Sequence, residues 1–378
     1  MITKVRIKIM GIFEKAKILG DAAKYDICLS SCIAGGRAKD PKDPVNRWIY
    51  PASLPDGKTT FLLKVLLSNE CENDCKYCIN RCGRDFARVS FEPEELVKLF
   101  IELYRNRSVH GLFLSSGVAW GINQTMGKMI KVVEILRKRY RFKGYIHLKI
   151  LPGANFSYVE RATQLANRVS LNLESPTQKG LSKISNKDIK NDIYQRMKWI
   201  DKIISTENLR VSQTTQFVVG ASDESDYELL KTTDWLYKNL NLARTYFSAF
   251  QPIENTPLES HPPTPLMREH RLYQADFLLR RYGFKFDELK FDEGGNLPLN
   301  LDPKMVFALT NMDKFPIEIN KASKEELLRV PGIGPISAAR IIKSKNKFHT
   351  LDELKKVGVV IKRAAKFILI DGKLPHNH

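Results

Sequence analysis

Short apolar runs alternate with longer helical stretches between about residues 58 and 250, and this pattern constrains the fold most. The runs have the length and composition of β-strands, and apolar residues recur at a helical period between them. Strands that alternate with helices form parallel βαβ units, so the pattern predicts an α/β fold with a partial (β/α)6, TIM-like barrel. The predicted strands are Phe61–Leu67, Leu112–Leu114, Tyr145–Ile150, Val169–Leu173, Thr215–Val219 and Thr245–Phe250. Active sites of such barrels lie at the carboxyl ends of the strands.

Segments of different character flank the predicted barrel. Four prolines (41, 44, 51 and 55) lie in the first part of the chain, and we expect an irregular extension there because proline breaks regular elements. Downstream of the barrel, a Pro-rich link leads into helical stretches and a small all-α unit. The resulting division is 1–56 extension, 57–260 barrel, 261–316 helical linker region, 317–372 C-terminal module and 373–378 tail.

The formal net charge of +19 favours a polyanionic partner such as nucleic acid, although a generally basic proteome is an alternative explanation. No apolar run approaches the roughly 20 residues that a membrane span requires. Met1–Phe13 has no secretory signal pattern, so we expect a cytoplasmic protein. In that reducing compartment, the six cysteines indicate metal binding or catalysis rather than disulfides.

Three cysteines follow the first predicted strand at CxxxCxxC spacing: Cys71, Cys75 and Cys78. Holding a thiol of pKa about 8.5 as a thiolate at pH 7 costs about 2 kcal/mol without a cation. Three such thiols on one loop therefore predict a bound cationic group. Two groups fit: an iron–sulfur cluster with one iron left open, or a zinc ion with Cys82 as fourth ligand.

This motif, with Tyr77 just before the third cysteine, resembles the signature of the radical S-adenosylmethionine (SAM) superfamily. The resemblance implies that the three cysteines hold a [4Fe–4S] cluster whose open iron chelates SAM. It also implies a 5′-deoxyadenosyl radical that abstracts hydrogen from the substrate, and an electron donor such as flavodoxin or ferredoxin. The cofactor contacts that it implies, mostly at successive strand ends, are Tyr77, Ser115, Ser116, Gly117, Asn172, Glu174 and Gly220.

The catalytic residues are not identified by the sequence, and three candidates remain. His147 and Lys149 share one face of a predicted strand, where they could meet SAM or an acidic substrate. Core or rim positions account for them equally well. Cys82 lies four residues past the motif and could face the cluster or donate hydrogen to a substrate radical, or be incidental. Cys28 and Cys32 receive no role.

Residues 327–342 resemble a helix-hairpin-helix motif, preceded by a capping box at Ser323 and Glu326. Free N–H groups at the start of its second helix can bind a DNA phosphate. The predicted DNA-binding residues are Gly332, Ile333, Gly334, Arg340 and Lys343. A weaker second copy follows, in which Val360 replaces the second glycine, so its phosphate site is in doubt. The alternative is a helical hairpin for packing or protein contact.

From about Ile12 to Gly372, the chain is similar to a bacterial family described as radical SAM proteins of DNA modification or repair. The segments that carry the resemblance are 111–118, 147–149, 269–276, 302–304 and 328–332. It implies DNA as substrate and association with a uracil-DNA-glycosylase-like protein. Ile79, where proline is usual, and Cys82 depart from the family pattern. Two alternatives stay open: an enzyme that modifies RNA or tRNA, and a non-catalytic iron–sulfur protein that binds DNA.

Overall fold

The computed structural model describes residues 11–23, 49–53 and 59–375. Cys28, Cys32 and most of the extension predicted for residues 1–56 lie outside these ranges. The chain divides into two compact units. The barrel unit comprises Met1–Glu224 and Trp235–Leu266, and the C-terminal unit comprises Ser225–Asp234 and Met267–His378.

A seven-stranded sheet, with its strands in sequence order, forms the centre of the barrel unit. The strands are β1 (Ile49–Ser53), β2 (Thr59–Leu66), β3 (Gly111–Ser115), β4 (Tyr145–Lys149), β5 (Arg168–Ser170), β6 (Ser212–Val219) and β7 (Arg244–Ala249). From β2 to β7 every neighbouring pair is parallel. These six parallel strands confirm the predicted half-barrel.

The first strand, β1, corrects the expectation of an irregular segment before the barrel. It pairs antiparallel with β2, and Pro51 lies opposite Phe61. Proline predicts an irregular segment because it lacks the N–H that a strand ladder needs. At the edge of a sheet one side of a strand needs no ladder bonds, so proline is tolerated there.

Helices cover one face of this sheet because that face is apolar. Its side chains, among them Leu112, Leu148 and Phe247, are fully buried. The helices of the barrel unit are α1 (Ile12–Ala23), α2 (Pro93–Arg105), α3 (Ile122–Glu134), α4 (Phe156–Leu165), α5 (Gln178–Ile184) and α6 (Gln195–Thr206). Single π-helical turns at Ile135–Arg139 and Ile189–Tyr194 adjoin α3 and α6. Helix α7 (Asp226–Leu240) has residues in both units.

The C-terminal unit is helical, as predicted, apart from one short pair of strands. Its helices after α7 are α8 (Leu266–Arg281), α9 (Pro303–Thr310), α10 (Lys324–Arg329), α11 (Pro335–Lys343), α12 (Leu351–Lys356) and α13 (Ile361–Ala364). The parallel pair of β8 (Ile317–Glu318) and β9 (Ile368–Leu369) was not predicted. Two residues per strand are too few to establish a period in the sequence.

Among the residues that the structure describes, no helix has both the length and the apolar character needed to cross a membrane.

Candidate active site and candidate nucleic-acid interface

The loop that follows β2 carries the three motif cysteines, and each sulfur lies beside a potential hydrogen-bond donor. The amide of Val118 donates to Cys71 Sγ at 3.4 Å, and the amide of Asn80 donates to Cys78 Sγ at 3.4 Å. The Ser185 hydroxyl lies 3.7 Å from Cys75 Sγ. Donors aimed at sulfur favour the thiolate form, which is the form that binds metal.

The buried cysteine thiols need a nearby positive charge before they can lose their protons. Burial, and then the neighbouring Cys75, raise the pKa of Cys78 to about 12. Burial also raises the pKa of Cys75. Thiols so close together and so shielded from water become thiolates only when a cation offsets their charge.

The arrangement fits a cluster better than a single ion. A structural zinc ion takes four protein ligands, whereas a [4Fe–4S] cluster held by three thiolates keeps one iron open. Cys82, the candidate fourth zinc ligand, is exposed, and its thiol lies 3.9 Å from an oxygen of Asp74. The donor set of Cys71, Cys75 and Cys78 therefore fits the cluster.

The end of β3 packs directly against the cysteine loop. The Gly117 amide donates to the Ser68 carbonyl at 2.8 Å, and the Glu72 amide donates to the Val118 carbonyl at 2.7 Å. A Cβ atom on Gly117 would overlap the Glu70 carbonyl oxygen and press on Cys71. Only glycine allows the two segments to approach this closely. The SAM-contact prediction for residues 115–117 thus falls on a segment that adjoins the cysteines, with Ser115 buried and Ser116 half-buried.

Glu174 is a strained, buried carboxylate near the cysteine loop. It is 4% exposed and has a left-handed backbone with φ of 67°, which is rare for residues other than glycine. Its Oε1 accepts a hydrogen bond from Lys187 Nζ at 2.9 Å, while its buried Oε2 has no hydrogen-bond partner in the described part of the chain. Strain and an unsatisfied buried oxygen together mark a position held for a ligand.

The surroundings of Glu174 tie it to the cysteines electrostatically. Burial lowers the pKa of Lys187, but the carboxylate of Glu174 and the thiol of Cys75 outweigh it, so the pKa is raised overall. Burial, and then Glu174, raise the pKa of Tyr77 well above its usual value. Lys187 was missed by the sequence analysis because it lies more than 100 residues after the motif, in a loop without a pattern of its own.

Gly220 and Asn172 also follow strands, as predicted. Gly220, after β6, has φ of 85° and its carbonyl lies 2.8 Å from His261 Nε2. Its amide donates to the carboxylate of Glu224. Asn172, after β5, is half-buried. The contacts predicted between these residues and SAM remain predictions.

Arg88 is a second residue of the cysteine loop that the sequence did not reveal. Its guanidinium donates to four backbone carbonyls, which belong to Asn69 (2.7 Å), Asn80 (2.9 Å), Arg81 (2.5 Å) and Arg84 (2.9 Å). These carbonyls lie on both sides of the cysteines along the chain, so one side chain closes the loop. A lone arginine in a polar loop carries no signal of this role.

The three catalytic candidates have different surroundings. His147 is buried, its Nε2 lies 2.8 Å from Ser170 Oγ, and its ring stacks on Phe113 with centroids 4.1 Å apart. Lys149 is half-buried on the same face of β4. Cys82 is exposed, and its thiol lies 3.9 Å from an oxygen of Asp74.

In the C-terminal unit, α10, a tight turn and α11 form the predicted hairpin. Ser323 and Glu326 close the predicted capping box at the start of α10. Gly332 has φ of 86°, and an added Cβ would lie 2.5 Å from the Val360 carbonyl oxygen. Gly334 is the N-cap of α11 and Pro335 its first residue. The first N–H groups of α11 therefore have no carbonyl partner within their own helix, and such an arrangement can bind an anion.

A cavity of about 670 Å³ opens beside this turn. Residues of the turn, of α8 and of α9 contribute to its walls. Arg340 adds a positive charge, whereas Arg363 forms an ion pair with Asp302, which lines the same cavity. Lys304, which is 7% exposed, donates to the Ile333 carbonyl of the turn at 2.5 Å. Burial, and then Arg363, lower the pKa of Lys304 to about 7. Lys304 thus stabilises the turn through its hydrogen bond to the Ile333 carbonyl. Lys343 lies at the surface of α11.

The second, weaker copy differs where the sequence departs from the motif. Gly358 has φ of 95° and forms the turn, and Thr350 with Glu353 forms the capping box of α12. The amide of Val360, however, donates to the Gly332 carbonyl at 2.9 Å. That amide is engaged in bracing the first hairpin, so it is not directed at a phosphate.

Comparison with known protein families gives two matches. Residues 65–236 match the radical SAM superfamily, and residues 313–365 match the helix-hairpin-helix motif. No curated protein matches the chain.

Solved structures of low sequence identity resemble the chain. HydG, a maturase of the [FeFe]-hydrogenase, is 14% identical with a TM-score of 0.46, and the match covers 57% of this chain and 48% of HydG. Methylornithine synthase (PylB) is 15% identical with a TM-score of 0.46, over 57% of this chain and 60% of its own. HydG from Carboxydothermus hydrogenoformans is 15% identical with a TM-score of 0.46, over 78% of this chain and 74% of its own. The chain thus spans about half of the first of these proteins.

Members of the matched superfamily use a [4Fe–4S] cluster and SAM, and the donor set described above fits that cluster. The chain therefore contains a radical SAM domain, with a [4Fe–4S] cluster and SAM as its cofactors, followed by a helix-hairpin-helix motif.

Proposed function

We propose that this chain is a radical SAM enzyme that modifies or repairs DNA. One observation carries the proposal: a radical SAM domain and a helix-hairpin-helix motif occur in the same strongly basic chain. The domain supplies the reaction type. The motif supplies the substrate class, because helix-hairpin-helix turns bind phosphates of the DNA backbone without reading bases.

In the barrel unit, Cys71, Cys75 and Cys78 hold the cluster through one thiolate each. The cluster and SAM, when bound, supply a 5′-deoxyadenosyl radical that abstracts hydrogen from the substrate. The chain's own residues orient the cofactor. The free oxygen of Glu174 accepts hydrogen bonds from SAM, and the segment 115–117 lines the cofactor beside the cysteines. Asn172, Gly220 and Tyr77 complete the contacts.

In the C-terminal unit, the amides at Gly334 and at the start of α11 and the side chains of Arg340 and Lys343 bind a backbone phosphate. The Ile333 amide donates to the Val330 carbonyl at 3.2 Å, so Ile333 contributes to the shape of the turn instead. The position of Lys304 supports this role, because its hydrogen bond to the Ile333 carbonyl fixes the turn that carries those amides. A buried ammonium there costs stability. Such a cost is reasonable where a turn must keep one geometry.

Two partners belong to the proposal. Cluster reduction requires an electron donor such as flavodoxin or ferredoxin. The family resemblance adds a uracil-DNA-glycosylase-like protein, and co-purification of the two proteins with and without DNA tests that association.

The test of the function is a SAM-cleavage assay. The protein is reconstituted anaerobically, its iron and sulfide are quantified, and it is reduced and mixed with SAM. We expect 5′-deoxyadenosine to form faster with duplex DNA than without it, and Cys71→Ala to abolish its formation. The parallel reactions contain undamaged duplex, uracil-containing duplex and tRNA.

The outcomes separate the alternatives. Stimulation by tRNA alone would replace DNA with RNA as the substrate. Cluster-loaded protein that binds DNA but cleaves no SAM would be a non-catalytic iron–sulfur protein. Zinc in place of iron and sulfide would remove the enzymatic proposal altogether.

A further inference from the structure

The cavity beside the hairpin turn has the size of a ligand site. It encloses about 670 Å³, and ligand sites typically enclose about 300–1,000 Å³. All of its lining residues belong to the segment Met267–His378, so it lies within the C-terminal unit. Three of them, Phe277, Ile336 and Val360, are exposed, and the cavity therefore opens to solvent. The phosphate contacts proposed above do not account for this space.

Lys304 supplies an amine to the wall of this cavity. Of the described residues that line it, Lys304 is the only lysine. Its Nζ donates to the Ile333 carbonyl at 2.5 Å and lies 4.7 Å from the centre of the Tyr282 ring. The carboxylate of Asp302, two residues away, forms an ion pair with Arg363. The amine is thus held in place by a carbonyl and a ring, both of which are uncharged.

The surroundings of this amine favour its neutral form. Burial, and then the guanidinium of Arg363 on α13, lower the pKa of Lys304 to about 7. Asp302, the N-cap of α9, acts in the opposite direction, and Arg329 on α10 lowers the pKa further. At pH 7 about half of such an amine is neutral, whereas an ordinary lysine of pKa about 10.4 is neutral about a thousandfold less often. The neutral form still carries an N–H for the Ile333 carbonyl, and its lone pair is available.

A neutral amine in a cavity is a nucleophile for carbonyl carbons, with which lysine forms Schiff bases. Intact DNA offers no such carbon, because the base attached to C1′ keeps each sugar ring closed. A sugar that has lost its base opens to an aldehyde at C1′. The amine contacts Ile333, and the next residue, Gly334, carries the first of the amides proposed to bind phosphate. A phosphate bound at the turn therefore brings an adjoining sugar to the cavity.

We propose that Lys304 forms a Schiff base with the aldehyde of a base-free sugar in DNA held at the hairpin turn. The bond between Nζ and C1′ forms, the aldehyde oxygen leaves as water, and the step needs neither an oxidant nor a reductant. The inference rests on the proposed function for its ligand, DNA. It adds a second covalent chemistry to the chain, one that uses neither the cluster nor SAM.

Reductive trapping on the wild-type protein tests the proposal. The reconstituted full-length chain is mixed with a short duplex that contains one base-free position, and sodium cyanoborohydride is added. The reagent reduces a Schiff base to a stable secondary amine, so protein and DNA stay joined under denaturing conditions. We expect a joined product with this duplex and none with the intact duplex. Peptide mapping by mass spectrometry should place the link on Lys304. A link on another lysine or on the N-terminal amine, or no link, would overturn the proposal.

The pH dependence of trapping identifies the kind of amine that reacts. With the duplex at saturating concentration, the initial rate should be half-maximal near pH 7, because Lys304 loses its proton there. An exposed lysine would react appreciably only above about pH 9. A rate that rises only in that range would also overturn the assignment to Lys304.

Variants complete the test. Lys304→Met removes the amine, and we expect trapping to become at least about a hundredfold slower, since the remaining lysines are almost fully protonated. Lys304→Arg keeps a cation without a nucleophilic amine and should lose trapping as well. Lys290→Met, at an exposed position of the same unit, should react as the wild type does. Equal trapping by Lys304→Met and Lys290→Met would refute the proposal.

The mapped position in the wild-type protein decides the question even if a variant weakens the turn. Anisotropy with a labelled intact duplex, together with the SAM-cleavage assay, separates this inference from the proposed function. Binding of DNA and cleavage of SAM without trapping would refute the role of Lys304 alone. A wild-type chain that binds no DNA would refute the proposed function itself.

Discussion

Gly117 is the residue on which the geometry of the cysteine loop depends most directly. Its missing side chain lets the end of β3 contact the Glu70 carbonyl and Cys71, and the next amide donates to Cys71 Sγ. A side chain here separates the two segments. A side chain at this position thus disturbs the packing of the two segments, and the disturbance reaches Cys71 Sγ through its hydrogen bond with the Val118 amide.

Gly117→Ala should therefore reduce cluster binding. The added Cβ overlaps a backbone oxygen that has no rotamer through which to withdraw, at a cost of about 1–3 kcal/mol. Iron per polypeptide after anaerobic reconstitution measures the loss. Gly127→Ala, on α3, is the matched control, because its Cβ would meet only a ring atom of Tyr158 at 3.4 Å. Equal iron content in both variants would contradict this account.

His147 predicts how stability depends on pH. Its pKa in the folded protein lies well below that of an unfolded chain. As the pH falls through about 6.5, the unfolded chain takes up a proton that the folded protein does not. The free energy of unfolding should therefore decrease on acidification below about pH 6.5, by up to about 1.4 kcal/mol per pH unit from this group.

His147→Gln should remove that contribution. Denaturant unfolding at pH 5.5 and pH 7.5 gives the difference in stability for each protein, and we expect a smaller difference in the variant. His110→Gln, at an exposed position, is the control. If His147→Gln shows the same difference as the wild type, the imidazole does not carry the dependence.

Among the elements, the cysteine loop is held by its own side chains rather than by regular structure. Arg88 binds four carbonyls of the loop, and burial lowers its pKa. A forked, planar guanidinium reaches several oxygens at once, whereas an ammonium is a single point. The loop thus keeps its shape without a helix or a strand.

Arg88→Lys should accordingly release the cluster faster. We expect the charge to be kept and the four-carbonyl network to be lost, so the loop opens more often. Bleaching of the cluster's visible absorbance in the presence of a chelator measures the rate. Arg84→Lys, in the same loop, changes a side chain that donates to one carbonyl at 3.1 Å, that of Glu254. A rate for Arg88→Lys equal to that of this control would sink the idea.

The sequence predicts elements whose apolar residues repeat at a regular period. It does not predict features that depend on contacts between distant parts of the chain. Six parallel strands, the capping box at Ser323 and the hairpin with its glycines were predicted, since alternation, cap residues and glycines are local signals. β1, Lys187, Arg88 and Lys304 were not. A proline at a sheet edge, or a cation whose partner lies far along the chain, acquires its role only after the chain has folded.

For the whole molecule, the net charge of +19 must act through particular places. The proposed place is the hairpin turn in the C-terminal unit, which lies within the helix-hairpin-helix match. A phosphate contact releases counterions, so this turn should contribute its own part of the salt dependence of DNA binding.

Gly334→Val tests how much the hairpin turn contributes to DNA affinity and to its salt dependence. Gly332 is unsuitable, because its φ of 86° and the nearby Val360 carbonyl make any side chain disruptive. At Gly334 the nearest atom to an added Cβ is the Tyr282 hydroxyl at 3.5 Å, so valine fits but covers the amides. We expect duplex affinity to fall about tenfold and the salt slope to decrease by about one. Gly294→Val, at an exposed loop position of the same unit, should match the wild type.

The Val360 amide proton, which is hydrogen-bonded to the Gly332 carbonyl, can report on contact between the two turns of the module. Solvent deuterium can replace that proton only when the two turns part. The exchange rate of the Val360 amide therefore measures how often the phosphate-binding turn opens. Val360 lies in the second turn, so DNA need not contact it. A ligand that clamps the first turn would slow the exchange of an amide in the second.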